Sequence, residues 1–241
     1  MIEPVMNPVI ILNTGEIALE GEFLWGSNHT LLVHVDCGEA QVKAVYKPTR
    51  GVRPLWDFDP PTLAQREVLA YRVSEALGWR LVPPTVLRRN GPLGAGSLQL
   101  YIEHDPEYHY FNFSEVDRLR LRPAAAFDAL INNADRKGGH FILDHDGHIW
   151  LIDHGICFHE EPKLRTVLWD FAGESIPDEL AADLATFAEA LAADAPASGA
   201  IRPLMTPREY EALCRRAERL AAGKVFPRPP RDVRPYPWPL V

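Results

Sequence analysis

The chain has 241 residues, 46% of them hydrophobic and 24% charged, with a formal net charge of −8. That length suffices for one large domain or for two lobes around a cleft, and the excess of acid argues against a nucleic-acid binder. Three cysteines (Cys37, Cys157 and Cys214) without a Cys-x-x-Cys spacing speak against a disulfide framework or a thiolate zinc site, and fit a reducing, cytoplasmic setting. No apolar run approaches the roughly 20 residues of a membrane helix, and the first twelve residues lack the basic start and small-residue cleavage site of a signal peptide.

In chain order, residues 8–47 read as strands and tight turns, punctuated by Gly15, Gly21, Gly26 and Gly38, with β-rich runs at 31–35 and 42–46. Prolines, a glycine and Trp56 make 48–61 a loop. The period turns helical over 62–77, with Leu63, Val68, Tyr71, Val73 and Leu77 apolar, Thr62 as N-cap and Gly78 as the stop. Two short strands, 82–87 and 97–102, flank a Gly-rich turn at 91–96. An aromatic, polar loop spans 105–113, and a helical stretch over 115–132 is divided by Pro123. Alanine-rich amphipathic helices are expected at 178–193 and 207–222, followed by an extended Pro- and Arg-rich tail at 226–241. Strands come first, one helix lies among them, and helices follow. The fold class is therefore α+β, a single domain 1–241 with a small β-rich N-terminal lobe (1–103), a helical C-terminal lobe (104–225) and the tail.

The chemistry-bearing words sit between residues 132 and 155. Asn132-Asn133-Ala134-Asp135-Arg136-Lys137 is followed by an apolar strand, an Asp144-His145-Asp146-Gly147 turn, and Ile152-Asp153-His154-Gly155. Asp-Gly supplies the positive-φ positions that a hairpin turn needs. An aspartate loop, a hairpin and an Asp-x-Gly at a strand end are parts that phosphoryl transfer uses: one carboxylate orients the attacking hydroxyl, the other holds the metal that bridges the phosphates. Upstream, Lys47 ends a strand before Pro48, Glu67 lies on the first long helix, and Gly26-Ser27-Asn28 sits in a turn-rich segment whose amides and side chains can approach phosphate.

Taken in order, Gly26-Ser27-Asn28, Val45-Tyr46-Lys47-Pro48, Arg66-Glu67 with Ala70-Tyr71, Asn133-Ala134-Asp135-Arg136 and Ile152-Asp153-His154-Gly155 resemble the phosphatidylinositol 3/4-kinase-like family of the protein-kinase-like superfamily. The likeness is to type II phosphatidylinositol 4-kinases and their short bacterial relatives, over roughly 15–177. The resemblance implies a two-lobed protein-kinase-like fold with ATP and a divalent metal, Mg or Mn, between the lobes. It places Lys47 on the ATP phosphates, Glu67 as the helix partner of Lys47, and Gly26, Ser27 and Asn28 over the phosphates. Ile102 and Glu103 become the hinge that meets adenine, Asp135 with Arg136 the catalytic loop, and Asp153 the metal ligand.

His140 departs from that pattern, since the family carries an asparagine five residues after the catalytic aspartate to bind the second metal. Imidazole suits manganese better than magnesium. Four readings follow: a manganese or single-metal kinase, a related transfer such as nucleotidylation, a nucleotide-binding pseudokinase or scaffold, or a histidine that only packs or hydrogen-bonds. A different class also stands open, a metal-dependent hydrolase built from His140, His145, His148, His154 and His159 with Asp144, Asp146 and Asp153, though no His-x-x-x-His or His-Glu-x-x-His spacing occurs. The acceptor is open between a protein, a small molecule and an inositol lipid, and the oligomeric state is not legible. The acidic net charge and the lack of a polybasic patch weigh against the lipid.

Overall fold

The computed structural model describes residues 6–22, 30–38, 40–52, 55, 57–193 and 195–241, leaving aside the side chains of 22 and 197. Five antiparallel strands form one sheet in the order β1-β2-β3-β5-β4: β1 (Glu16–Glu22), β2 (Leu31–Asp36), β3 (Gln41–Pro48), β4 (Thr85–Gly91) and β5 (Gly94–Leu100). Alternation decides which face is covered. Leu31, Val33 and Val35 of β2 are buried, and so are Ala44 and Tyr46 of β3. Their register pairs Leu31 with Tyr46 and Val33 with Ala44, so the apolar side chains stack across the strands. Beside Lys47 the strands approach very closely: a Cβ on Gly96 would lie 2.4 Å from the Lys47 carbonyl oxygen, so only glycine fits there.

The apolar face is closed by a helix where strand was expected. Residues Pro8–Thr14 form α1, which supplies Ile11 and Leu12 to the sheet's core. The β-branched run favours strand locally, but the ends are capped. Asn7 accepts a hydrogen bond from the Val9 amide at 2.9 Å, Pro8 occupies the first turn, and Arg88 Nη1 donates to the carbonyls of Leu12 (2.8 Å) and Gly15 (3.0 Å). A second correction concerns Thr62. The long helix α2 (Leu63–Ala76) is preceded by a 3₁₀ turn at Pro60–Thr62, and the Thr62 hydroxyl donates to the Asp59 carbonyl at 2.7 Å without capping α2. The β4–β5 turn is also tighter than the sequence suggested, because the strands themselves absorb Gly91 and Gly94.

The remainder is mainly helical: α3 (Glu115–Leu119), α4 (Arg122–Ile131), α5 (Asp178–Ala192), α6 (Pro196–Ile201) and α7 (Pro207–Gly223), with the hairpin β6 (Phe141–Leu143) and β7 (Ile149–Leu151). Pro123 lies in the first turn of α4 and separates it from α3, as its missing amide requires. The short α6 was not anticipated. The core of this lobe gathers Phe127, Leu130, Phe141, Leu151, Leu184 and Leu213, and it also takes in Leu69 and Val73 of α2. The tail buries Phe226 and then runs back over the lobe on its carbonyls. Pro235 O accepts from the Thr166 amide at 3.1 Å, and Leu240 O from the Gly138 amide at 2.7 Å. Trp238 is not the anchor, being 74% exposed. No helix among the described residues is long and apolar enough to cross a membrane.

Candidate active site

The site begins where α4 ends. Asn132 adopts a left-handed conformation (φ 54°) that turns the chain out of the helix. Asn133 then braces the loop: its Oδ1 accepts from the Asp135 amide at 3.0 Å and its Nδ2 donates to Asp128 Oδ1 at 3.1 Å. Arg136 lies fully buried beneath. Its Nε and Nη2 reach Asp128 at 2.9–3.1 Å, Nη1 donates to the Ile152 carbonyl at 2.7 Å, and Nη2 also meets His154 Nε2 at 2.8 Å. One guanidinium thus ties the Asp135 loop to both residues that flank Asp153. Arg136 has no face toward solvent, so its place is in the scaffold under the cleft.

His154 accepts from Arg136 through Nε2, which leaves the proton on Nδ1, 3.9 Å from Glu67 Oε2. Burial and the adjacent Arg136 charge hold His154 well below the ordinary histidine range, so the ring is neutral. Its amide donates to Glu67 Oε2 at 2.9 Å. Glu67 Oε1 receives Lys47 Nζ at 2.5 Å, and the same ammonium lies 3.0 Å from Asp153 Oδ1. Burial works to lower the Lys47 pKa, but the Asp153 and Glu67 carboxylates outweigh it and raise it. Asp153 is correspondingly held below the usual carboxylate range, chiefly by the Lys47 charge. Asp153 has φ 61°, a conformation that aspartate tolerates better than most residues and that is seen at functional sites. Glu75, about two turns after Glu67 on α2, is exposed.

His140 presents Nε2 to Asp153 Oδ2 at 3.4 Å, while its Nδ1 accepts from the Lys137 amide at 3.3 Å. With Nδ1 used as an acceptor, the proton sits on Nε2, facing the carboxylate. Burial is the main cause that takes its pKa down to about 3. Asp135 takes Lys137 Nζ at 2.9 Å. Burial pushes the Asp135 carboxyl up, Lys137 and Arg165 draw it down, and the charge of Asp153 reaches it as well.

The structure therefore brings Lys47, Glu67, His140 and Asp153 into one contact cluster, with Asp135 in its electrostatic field. Ile102 and Glu103 follow β5 at the junction of the lobes. There the Ile102 carbonyl accepts from His104 Nδ1 at 2.7 Å, and Glu103 pairs with Lys43 at 3.3 Å. Gly26, Ser27 and Asn28 lie outside the described residues. The histidine-rich alternative is not assembled: His148 bonds to the Arg80 carbonyl, Asp144 caps its own turn, and no group of three His, Cys, Asp or Glu among the described residues is placed to hold a metal.

Two supporting residues, Asp128 and Lys137, escaped the sequence reading. Asp128 carried a signal, since an aspartate inside the apolar run Ala124–Ile131 must be paired if buried. Lys137 was adjacent to candidates but had no pattern of its own, and His154 was read as a possible hydrolase ligand, whereas it bonds to Arg136 and through its amide to Glu67.

A sheet-rich lobe and a helical lobe meeting at a lysine–glutamate–aspartate cluster define a kinase-like architecture, and solved structures bear out the fold. Hydra Fam20, determined with sugar, matches with a TM-score of 0.58 at 14% identity over 90% of this chain and 87% of that one. The Helicobacter pylori proinflammatory kinase CtkA matches at 0.53 and 13% identity, over 89% of this chain and 94% of that one. The fold is thus the two-lobed protein-kinase-like fold. No protein-family model matches the sequence. Among curated proteins, Protein Rv2133c of Mycobacterium tuberculosis is 40% identical over 95% of this chain and 94% of its own length, so the chain belongs to the Rv2133c family. Phosphatidylinositol 4-kinase gamma 4 of Oryza sativa subsp. japonica is 32% identical over 124 residues, 44% of this chain and 22% of that protein.

Proposed function

We propose that the chain is an ATP-dependent phosphotransferase related to the phosphatidylinositol 3/4-kinase-like branch. The observation that carries this reading is the placement of the Lys47 ammonium between Glu67 (2.5 Å) and Asp153 (3.0 Å), residues 20 and 106 positions away. A strand lysine fixed by a helix glutamate beside a post-hairpin aspartate is the phosphate-holding set of a kinase, and the partial match to the rice phosphatidylinositol 4-kinase supports the branch.

In this reading Lys47 holds the nucleotide phosphates, and Glu67 fixes the ammonium beforehand so that less order is imposed on binding. Asp135 orients the acceptor hydroxyl and Lys137 offsets charge beside it. Arg136 acts at one remove, as a positioning residue that keeps Asp135 and Asp153 in register. The Ile102 carbonyl is taken by His104, so adenine contacts at the hinge fall to the remaining backbone groups of Ile102 and Glu103.

The donor set fits a hard divalent cation held by Asp153, with phosphate oxygens and water completing the shell. When bound, such a cation supplies charge neutralisation along the phosphates. His140 fits it less well, because its Nε2 carries the proton while Nδ1 accepts from Lys137. This favours one carboxylate-held metal, and it keeps open the second reading, a nucleotide-binding module without turnover.

The test is transfer from γ-labelled ATP with Mg or Mn, together with nucleotide affinity. Lys47→Met is expected to lose both. Asp135→Asn is expected to keep affinity and lose transfer, because it acts on the acceptor. Affinity without transfer in the parent protein, in either metal and with protein, small-molecule and inositol-lipid acceptors, selects the silent module.

A further inference from the structure

A cavity of about 1050 Å³ lies in the helical lobe, and none of Lys47, Glu67, Asp135 or Asp153 lines it. Its walls are the segment 160–165, the outer face of α7 and the tail residues 227–234. Seven of its lining residues are lysine or arginine and two are glutamate, although the whole chain has 33 acidic and 25 basic residues. Among the described residues Arg165, Arg216, Arg219 and Arg228 form no ion pair with a carboxylate, whereas Lys163 and Arg215 pair with Asp57 and Glu211.

Arg216, in the cavity wall, carries a donor that no protein group meets. Its Nε donates to the Leu130 carbonyl at 2.7 Å and its Nη1 to the His159 carbonyl at 3.2 Å, but Nη2 is buried with no partner. A buried donor left unmade is costly, and rare in folded proteins. Room is also kept for Arg228: a Cβ on Gly173 would fall 2.4 Å from its Nη2. Several guanidinium groups held without carboxylates repel one another, and burial plus the neighbouring charges of Arg219 and Arg215 take Arg216 down to about 10. A partner carrying several negative charges on forked oxygens would offset that repulsion, since guanidinium pairs with phosphate in bidentate fashion. The volume is that of a small-molecule site, and Trp169, Leu164 and Val233 offer an apolar wall for a carbon skeleton.

We infer that this cavity is a binding site for a small molecule bearing two or more phosphate groups. The tail brings Arg228 and Arg234 to it. The site is independent of the nucleotide reading of the cleft, yet it touches the same loop. The Arg165 amide donates to the Asn133 carbonyl at 2.9 Å and the Arg165 carbonyl accepts from the Arg136 amide at 3.0 Å, so an occupant held by Arg165 sits against the backbone that carries Asp135.

The test is calorimetric titration of the full chain with fructose 1,6-bisphosphate, and co-sedimentation with phosphatidylcholine vesicles containing cardiolipin. Binding to either probe is expected, the sugar bisphosphate alone indicating a free ligand and the vesicles alone a lipid headgroup. Arg219→Glu with Arg228→Glu, both at exposed positions, should weaken it by about tenfold or more, and Lys47→Met should leave it unchanged. The inference is overturned if neither probe binds, if the double variant binds like the parent protein, or if Lys47→Met abolishes binding, which would place the anion in the cleft. Absence of ATP turnover would leave this result untouched, so the two readings fail separately.

Discussion

Arg136 and Lys47 are both cations gripped by carboxylates beside the same hairpin, yet they differ in what they leave free. The Arg136 and Asp128 side chains are 0% and 1% exposed, and every arm of the guanidinium is committed to protein atoms. The Lys47 ammonium is partly open, and its partner Asp153 is 48% exposed. A saturated, desolvated pair can only hold the backbone in place. A half-open pair can exchange a partner for a ligand. Sequence alone does not separate these roles, because each reads only as a cation within a candidate site word, Lys47 before Pro48 and Arg136 after Asp135. Satisfaction of hydrogen bonds separates them.

The largest expected effect tests the saturated side. Arg136→Ala leaves Asp128 buried and unpaired, and the loss should be about 3–5 kcal/mol of folding stability, read by chemical denaturation. Converting both partners, Arg136→Met with Asp128→Leu, should recover part of that loss. A single variant that unfolds at the parent's denaturant concentration would break the comparison. On the open side, Lys47→Met should abolish measurable nucleotide binding while costing at most about 1–2 kcal/mol of stability, since only one buried carboxylate loses its partner and the His154 amide still serves it.

A smaller effect is expected from pH. Burial holds His140 at about 3 and His154 well below its ordinary value, whereas the unfolded chain titrates both near 6.5. Below about 6.5 the unfolded state therefore binds more protons. Stability should be full above that value and fall as pH drops toward 4, by up to about 1.4 kcal/mol per pH unit for each ring. Asp153, held low, contributes a loss only below the ordinary carboxylate value of 3.8. Denaturation at pH 7 and pH 5 in chelator measures this, and His140→Asn should remove one of the two proton uptakes. A level stability over that range would mean that the rings are not buried neutral. Smallest of all, Glu75→Ala should change stability by no more than about 0.5 kcal/mol and leave nucleotide affinity alone, because Glu75 faces water.

What could be read from the sequence was local. β-rich composition marked β2 and β3, helical spacing marked α2 and α7, and Asp-Gly marked the β6–β7 turn. The candidate residues of the cleft were legible because each stands in a short recognisable word. Residues whose meaning comes from distant partners were not. Helix α1 depends on Arg88, 76 residues away from Leu12, and Arg66 finds Glu209 across 143 residues. The cationic cavity draws on three separated segments, none of which is a basic run. Capping by a remote side chain and charge gathered by topology leave no periodic trace.

Arg66 has a mechanical consequence. It reaches from α2 to the Cys157 carbonyl (2.5 Å) and to Glu209 on α7, and α2 also sinks Leu69 and Val73 into the helical lobe's core, while none of its residues belongs to the sheet's core. Arg66 and these apolar side chains therefore anchor α2 in the helical lobe, while α2 also packs against β4 and β5 of the sheet. Lys47 stands on β3 and Glu67 on α2, so their 2.5 Å contact ties the sheet to a helix that is itself anchored in the other lobe.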